Sequence, residues 1–223
     1  MTGPVVVLGA GGHGKVVVDA LLASGVRVVA CLDRAAELWE TSVLGVPVVG
    51  DDDRLPSLGG TDLLLANGVG SVGGVAARRA VFERFKRSGY RFVTVRHPSA
   101  IVAADVQLGE GVQLMAGSVV QPGCVIGLDT IVNTAASVDH DCRLGAHVHV
   151  APGATLAGEV TVEDGAHVGL GAAVRQRVRI GRNCVVAAGA VVIDDVADGL
   201  VVAGVPASPL RRAATHHDAG PAA

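Results

Sequence analysis

The chain has 223 residues, a formal net charge of −3 and 31 glycines, and its aromatic residues are three Phe, one Tyr and one Trp. Because only two of its residues are lysine, it lacks the basic field that dominates affinity for nucleic acid, and we expect no nucleic-acid partner. Every aromatic residue precedes residue 93. The rest of the chain must build its core from small and β-branched side chains, so we expect two domains.

The N-terminal segment, MTGPVVVLGAGG, runs directly into an apolar strand and a glycine loop, without a basic region or a small-residue cleavage site. We therefore expect a cytoplasmic protein without a signal peptide. The longest uncharged run, residues 111–128, contains four glycines and a proline. A lipid-facing helix would hardly use these residues, so we expect no membrane span.

Residues 1–75 are predicted to form a strand, a glycine loop, a helix and two further strands. Gly9, Gly11 and Gly14 satisfy the spacing G-x-G-x-x-G, and Asp33 ends the second strand. Free backbone amides at such a strand-to-helix turn favour a phosphate group. Fewer than a hundred residues precede the repeat described below, which is half of a doubly wound sheet. We therefore expect a mononucleotide-type ligand and disfavour a dehydrogenase.

The end of this region carries an amphipathic pattern over residues 75–88, followed by a predicted strand over residues 90–96. His97 and Pro98 end that strand. We assign residues 1–97 to a small α/β, half-Rossmann βαβ domain that includes this linker helix. At the other end of the chain, residues 213–223 have no apolar pattern, and we expect a disordered tail.

A six-residue repeat dominates the second domain. Divided from Ala100, the chain gives sixteen consecutive hexads to Asp195, and their third place is always Val, Leu or Ile. A period of six fits neither an α-helix nor a hairpin meander, and it predicts a parallel β-helix over residues 98–212. The pattern resembles the hexapeptide-repeat acyltransferases. That resemblance implies left-handed triangular coils of three hexads, five and a third coils in all, and a homotrimer.

The hexad frame also sorts the reactive side chains. Cys124, Cys142 and Cys184 occupy the small first place, which predicts buried structural thiols and no nucleophilic cysteine. His140 stands at a corner in the fifth place, and His149 in the second place, pointing outward. Nine residues are half a coil, so these two histidines lie on different faces and are expected to meet only between neighbouring subunits.

Several segments in chain order make the resemblance specific to one branch of that family. The segments that carry it are GAGGHG, the strand end LD, NGVG, HPSA, NTAASVDHDC, LAGEVTV and VVAGVPA. They are similar to the sugar acetyltransferases related to the sialic acid O-acetyltransferase and to the bacillosamine-pathway N-acetyltransferase. The resemblance implies acetyl transfer from acetyl-CoA to an amino group of a nucleotide-linked amino sugar.

The resemblance also assigns residues to roles. His140 matches the family's catalytic base and Asp141 its acidic neighbour. Positions expected around the acetyl group and the CoA arm are Asn133, His149, Gly158 and Leu170. Positions expected in the nucleotide-sugar pocket are Gly11, Gly12, His13, Asp33, Arg34 and Gly68. Where this chain has Arg34, some relatives carry an acid, which leaves the nucleotide and the sugar open.

Elementary chemistry agrees with the assignment of His140. A thioester is already an activated donor, so transfer requires an amine without its extra proton and a fixed geometry. A histidine with a pKa near 6.5 is suited to accept that proton, and a neighbouring carboxylate favours the imidazolium.

Other functions stay open at this stage. One is O-acetylation of a sugar such as sialic acid. Another is a zinc enzyme resembling the γ-carbonic anhydrases, which share the β-helix trimer; the intervals of 7, 2 and 18 among His140, His147, His149 and His167 differ from the metal-ligand spacing of those enzymes. We therefore expect no bound metal. A non-catalytic solenoid that binds nucleotide sugars is the third.

Overall fold

The protein has two domains in the computed structural model, which describes residues 3–71 and 74–212. The predicted tail, with His216 and His217, lies outside the described residues. The N-terminal domain contains, in chain order, β1 (Val5–Leu8), α1 (Gly12–Ala23), β2 (Val28–Leu32), β3 (Ser42–Val43), β4 (Val46–Pro47), α2 (Leu55–Leu58), β5 (Leu64–Asn67), α3 (Ala76–Arg87) and β6 (Arg91–Phe92). Short 3-10 turns occupy Ala36–Leu38, Asp52–Arg54 and Gly60–Asp62.

A four-stranded parallel sheet in the order β2-β1-β5-β6 organises this domain. Because side chains alternate along β1, Val5 and Val7 pack with α1, whereas Val6 and Leu8 pack with the aromatic side of α3. The predicted βαβ unit is therefore present, with a helix on each face. The glycine loop and the loop after β5 lie at the carboxyl ends of adjacent strands, which is where open α/β sheets bind ligands.

The second domain is a parallel β-helix of about six turns, with three sheets as its faces. Its strands are β7 (Val95–Arg96), β8 (Ile101–Val102), β9 (Gln107–Leu108), β10 (Gln113–Leu114), β11 (Val119–Val120), β12 (Val125–Ile126), β13 (Ile131–Val132), β14 (Ser137–Val138), β15 (Arg143–Leu144), β16 (His149–Val150), β17 (Thr155–Leu156), β18 (Thr161–Val162), β19 (His167–Val168), β20 (Ala173–Val174), β21 (Arg179–Ile180), β22 (Val185–Val186), β23 (Val191–Val192), β24 (Leu200–Ala203) and β25 (Ser208–Arg212).

We call the face that contains β7, β10, β13, β16, β19, β22, β24 and β25 the first face. The second face runs from β8 to β23, and the third from β9 to β21, in steps of three strands. Residues one coil apart pair directly, as His149 does with His167. The period of three hexads implied by the resemblance is confirmed by this pairing.

The hexad places explain the packing. The third place points into the prism, and all sixteen of its side chains are buried except the half-buried Val102 and Leu108 at the first turn. The sixth place makes the corner, where the backbone turns to positive φ, as at Gly117 and Gly123. This left-handed conformation favours glycine, yet Asp129, Asp141 and His147 adopt it as well, with φ of 53°, 58° and 57°.

The junction between the domains differs from the expectation of one strand over residues 90–96. β6 completes the N-terminal sheet, whereas β7 already pairs with β10 on the first face of the β-helix. The chain therefore changes domain between Phe92 and Val95, ahead of His97, where the sequence placed the junction. The reason is that the apolar residues of this segment supply two short strands in succession, one for each sheet.

The cysteines are packing residues. Cys31, Cys124, Cys142 and Cys184 are all buried and unpaired by disulfides. Burial raises the pKa of Cys31 to about 11, and burial also raises the pKa of Cys184. The prediction of buried thiols is confirmed, and the raised pKa makes Cys31 and Cys184 poor nucleophiles because the thiolate is the reactive form. None of the described helices is long and apolar enough to cross a membrane.

Candidate active site

A cavity of about 900 Å³ lies between the N-terminal domain and the first face of the β-helix. Its lining joins the glycine loop, the loop after β5 and successive coils of that face. The residues assigned from sequence that line it are Gly11, Gly12, His13, Asp33, Gly68, Asn133, His149 and Leu170. The tertiary structure therefore brings the expected nucleotide-sugar residues other than Arg34, and the expected CoA residues other than Gly158, to one cavity.

Two glycine-rich loops form the N-terminal side of the cavity. A Cβ atom at Gly68 would lie 2.6 Å from the carbonyl oxygen of Gly9, and one at Gly14 would collide with the same oxygen. Only glycine permits this close backbone approach. Asp33 fixes the first loop, because its carboxylate accepts hydrogen bonds from the backbone N–H of Ala10 at 2.7 Å and of Ala35 at 2.9 Å.

His13 points toward the β-helix instead of capping α1. Its Nε2 lies 2.8 Å from Oε1 of Gln113, and α1 has no side-chain cap. Burial and the nearby charge of Arg78 lower the pKa of His13 to about 4. His13 is therefore neutral at physiological pH, and it can act in the cavity as a hydrogen-bonding group but not as a cation.

Arg34 lies apart from the main cavity. It lines a second cavity of about 380 Å³ on the α3 side of Asp33, and its Nε is 3.8 Å from Oδ2 of Asp52. The apolar walls of this smaller cavity come from β1, β2 and α3, and Gly9, Asp33 and Val69 border both cavities. Of the residues assigned to the nucleotide sugar, Arg34 and Asp33 thus line this second cavity, and Asp33 lines the main cavity as well.

The hydrogen bonds of His149 determine its tautomer. Asn133 uses its Oδ1 to accept from the backbone N–H of Thr134 at 2.8 Å, so its Nδ2 donates to Nε2 of His149 at 3.0 Å. The proton of the ring must then be on Nδ1, which contacts the hydroxyl of Ser71. Burial, together with His167, lowers the pKa of His149 to about 2. His149 is a neutral ring held between the two domains.

His167 stands one coil further along the same face. Its ring meets that of His149 edge to face, with centroids 4.9 Å apart, and it lines the same cavity. Among the described residues, its buried Nδ1 has no hydrogen-bond partner. Burial lowers the pKa of His167.

His140 and Asp141 form a separate pair at an exposed corner between β14 and β15. Nδ1 of His140 lies 2.9 Å from Oδ2 of Asp141, and the two side chains are 56% and 64% exposed. The hydrogen bond to Asp141 raises the pKa of His140. The Nε2 atom points over Gly158, where a Cβ would lie 2.5 Å from it. Glycine at position 158 therefore leaves Nε2 open to a reaction partner.

Asp141 occupies a corner that usually favours glycine, and Gly123 one coil below makes room for its carboxylate. A residue kept in left-handed backbone conformation against its preference is a candidate for function. Neither His140 nor Asp141 lines the main cavity. Within one chain, the candidate base and the candidate binding cavity are on different parts of the β-helix, as the half-coil separation predicted.

The histidines of the central motif do not converge. His147 is buried, its Nδ1 lies 2.9 Å from Oδ2 of Asp129, and its ring packs edge-on against Phe82. His140, His147 and His149 thus have three different sets of partners. In residues 3–71 and 74–212, no group of three His, Cys, Asp or Glu side chains is placed to hold a metal ion.

The sequence did not identify all the polar residues of the cavity. Ser71, Thr134 and His167 line it without having been assigned. For His167 a signal was available, because its interval of 18 from His149 is one coil and places the two rings side by side. For Ser71 there was none, since its contact with His149 depends on how the two domains dock.

The arginines of the late coils pair with acids on the surface. Arg177 binds Glu159 at 3.0 Å, and Arg179 binds Glu163 and Asp198, each at 3.1 Å. These exposed pairs each contribute little to stability.

Comparison with known proteins connects this geometry with a family. The PglD N-terminal domain family matches residues 4–85. A crystallised variant of the GDP-perosamine N-acetyltransferase of Caulobacter crescentus, in complex with CoA and GDP-perosamine, is 42% identical with a TM-score of 0.86. That match covers 95% of this chain and 98% of that chain. The chain belongs to the hexapeptide-repeat nucleotide-sugar N-acetyltransferases.

Two further solved structures are similar over nearly the whole chain. The acetyltransferase domain of PglB from Neisseria gonorrhoeae, in complex with acetyl coenzyme A, is 38% identical with a TM-score of 0.85, covering 94% of this chain and 100% of that one. WeeI from Acinetobacter baumannii is 26% identical with a TM-score of 0.82 and covers the same shares. A comparison with curated protein sequences gives no match. The resemblance and the enzyme class inferred from sequence are confirmed.

Proposed function

We propose that the chain transfers the acetyl group of acetyl-CoA to the amino group of a nucleotide-linked amino sugar, with His140 as the general base. The observation that carries this proposal is the hydrogen-bonded pair of His140 and Asp141. Nε2 of His140 faces the backbone of Gly158 and has no hydrogen-bond partner among the described residues. Relatives similar over the full length are crystallised with CoA, acetyl-CoA and GDP-perosamine.

The two ends of the cavity suit different substrates. The glycine loop at the amino end of the twelve-residue helix α1 presents free N–H groups and a positive helix end to the phosphates of the nucleotide sugar. Gly11, Gly12, His13, Asp33 and Gly68 belong to this end, with Arg34 at its margin. Asn133, His149 and Leu170 line the other end, toward the CoA arm. Gly158, the fourth residue assigned to CoA, lies beneath His140.

The mechanism needs no covalent enzyme intermediate. The amine of the acceptor attacks the thioester carbonyl, and a C–N bond forms as the carbonyl becomes a tetrahedral oxyanion. Nε2 of His140 accepts the proton that the nitrogen loses, while Asp141 stabilises the resulting imidazolium at Nδ1. The C–S bond then breaks, and the sulfur leaves as thiolate and takes a proton to give free CoA.

We infer a homotrimer of left-handed β-helices, in which the site is completed between subunits. His140 lies outside the cavity of its own chain, and a base must be within hydrogen-bond reach of the proton that it accepts. A neighbouring subunit brings such a corner to the cavity. The expected partners are therefore the nucleotide sugar and further copies of this chain, in the cytoplasm.

The direct test is a thiol-release assay with acetyl-CoA and a panel of GDP- and UDP-linked amino sugars. We expect CoA to be released only when the sugar carries a free amine, with an N-acetylated product in the mass spectrum. The matched control is the corresponding nucleotide sugar with a hydroxyl group in place of the amine. Release with the hydroxyl sugar alone would replace N-acetylation by O-acetylation, and release with neither would overturn the proposal.

Asp141→Asn should change the pH dependence of the reaction. The base is active when neutral, so kcat should rise with pH through the pKa of His140, which Asp141 raises. Removing that negative charge lowers the pKa of His140, and the acidic limb of the profile of kcat against pH should therefore move to lower pH. The measurement is kcat against pH for parent and variant. A limb that stays in place would show that Asp141 does not act on His140.

Cys142→Ala should leave the reaction rate near the parental value, because Cys142 is fully buried and donates its thiol hydrogen to the carbonyl of Ala157 at 3.2 Å. Loss of the thiol should cost about 1 kcal/mol of stability, as an ordinary core substitution does. Intact-mass spectrometry during turnover should show no acetylated enzyme. Isolation of an acetyl-enzyme that proceeds to product would contradict direct transfer.

A further inference from the structure

Arg78 is the largest fully buried side chain of the protein, with 1% of its surface exposed. It lies on α3, where the amphipathic pattern placed charged residues toward solvent, as Arg79 is. Burying a guanidinium is costly unless its charge and its donors are all satisfied. An arginine in this position therefore requires a structural explanation.

The charge of Arg78 is balanced by the β-helix. Nη2 of Arg78 donates to Oδ1 of Asp129 at 2.7 Å, and the Asp129 side chain is completely buried. Asp129 also accepts a hydrogen bond from Nδ2 of Asn67 and contacts Nδ1 of His147. Asp129 stands at a corner with a φ of 53°, where glycine would be less strained. The ion pair thus joins the two domains behind the cavity.

The other end of the guanidinium holds the loop after β5. Nη1 of Arg78 donates to the carbonyl oxygen of Asn67 at 2.9 Å and to that of Val69 at 3.0 Å, on either side of Gly68. Gln113 of the β-helix donates to the same Asn67 oxygen at 2.7 Å. Gly68 lies against the glycine loop, and three residues further on the hydroxyl of Ser71 contacts His149.

We propose that Arg78 is a positioning residue for the transfer reaction: it holds residues 67–71 as the wall of the acceptor cavity. The effect of Arg78 on acetyl transfer rests on the proposed function, whereas the contacts of Arg78 do not. The planar fork of arginine can bond two carbonyls and a carboxylate at once, which the single ammonium group of lysine cannot do. Geometry, more than charge, is what Arg78 contributes.

The test is Arg78→Lys, which keeps a positive charge beside Asp129 but gives up the fork. The matched control is Arg79→Lys on the same helix, whose partner is Glu83 at 2.7 Å and which touches neither the loop nor the cavity. We expect Arg78→Lys to raise the KM for the nucleotide sugar, and thereby to lower its kcat/KM, by about 10- to 100-fold. The KM for acetyl-CoA and the circular dichroism spectrum should stay close to those of the parent. Arg79→Lys should match the parent throughout.

A purely structural role would lower stability without raising the KM for the nucleotide sugar selectively over that for acetyl-CoA. A folded Arg78→Lys enzyme with a parental KM for the nucleotide sugar therefore overturns the proposal. Should Arg78→Lys fail to fold, Asp129→Asn is the second variant, because asparagine has the shape of aspartate and tolerates positive φ. It weakens the hold on the Arg78 guanidinium by removing the carboxylate that Nη2 bonds. The same rise in KM is expected there, and a parental KM overturns the proposal.

Calorimetric titration with GDP and UDP separates this inference from the proposed function, because it needs no turnover. If the parent binds a nucleotide but transfers no acetyl group, the proposed function fails, and Arg78 is still tested by the loss of nucleotide affinity in Arg78→Lys. If the parent transfers acetyl and Arg78→Lys binds nucleotide and sugar as tightly as the parent, the inference fails alone.

Discussion

His140→Ala is expected to lower kcat by about 10²- to 10⁴-fold while leaving the affinity for acetyl-CoA nearly unchanged. The lost interaction is with a proton in transfer, which exists only in the transition state, and not with the bound cofactor. His140 is exposed and makes its side-chain hydrogen bond only to Asp141 among the described residues. Its replacement should therefore cost little stability, so a fall in kcat reports on the chemistry.

Steady-state kinetics with both substrates varied, and a thermal melt of each protein, provide the measurement. His97→Ala is the matched control, since His97 is also at a turn of the β-helix and, within the described residues, its side chain hydrogen-bonds only with Ser99. We expect parental kinetics from this control. A His140→Ala enzyme with near-parental kcat would remove the base from the mechanism, whereas a loss of acetyl-CoA affinity equal to the loss of rate would make His140 a binding residue.

Mixed trimers of two defective subunits are expected to recover activity. His149→Ala should lower the rate and weaken acetyl-CoA binding, because His149 lines the cavity between Asn133 and Ser71. If each site combines the cavity of one subunit with His140 of its neighbour, co-assembly of His149→Ala and His140→Ala subunits produces some sites with both residues intact. Random mixing of equal amounts should make about a quarter of the sites intact in a closed cyclic trimer.

The measurement is the specific activity of the co-expressed mixture against that of each variant alone. The control is a mixture of parental and His140→Ala subunits, whose activity should vary in proportion to the parental share. A site contained in one chain predicts no recovery on mixing, because every chain carries one defect. That result, or full activity in a monodisperse monomer, would contradict the intersubunit site.

The repeat could be read from sequence because its physics is local and periodic. A hexad with a β-branched third place buries that side chain wherever it occurs in the prism, so the frame from Ala100 placed the strands and the cysteines correctly. The frame also placed His140 and His149 apart. In the N-terminal domain, the glycine loop and the β-α-β order were equally visible, since each depends on neighbours in the chain.

Domain docking could not be read in this way. Arg78 carried no signal in the sequence, because its partner Asp129 is 51 residues away in the chain. Ser71 and Gln113 likewise acquired roles only when the loop after β5 came against the first face of the β-helix. Arg34 lines a cavity beside the main one, and Asp33 borders both; no sequence pattern marked that division.

The amino-acid sequence by itself determined the two architectures and the pair of His140 with Asp141, because strand period, corner residues and adjacent side chains are set within one coil. The tertiary structure decided which glycine loop faces which coil and which histidines are neutral. It also decided where a buried arginine finds its carboxylate. These features depend on burial and on contacts between residues distant in the chain, and no local pattern encodes the desolvation that lowers the pKa of His13 and His149.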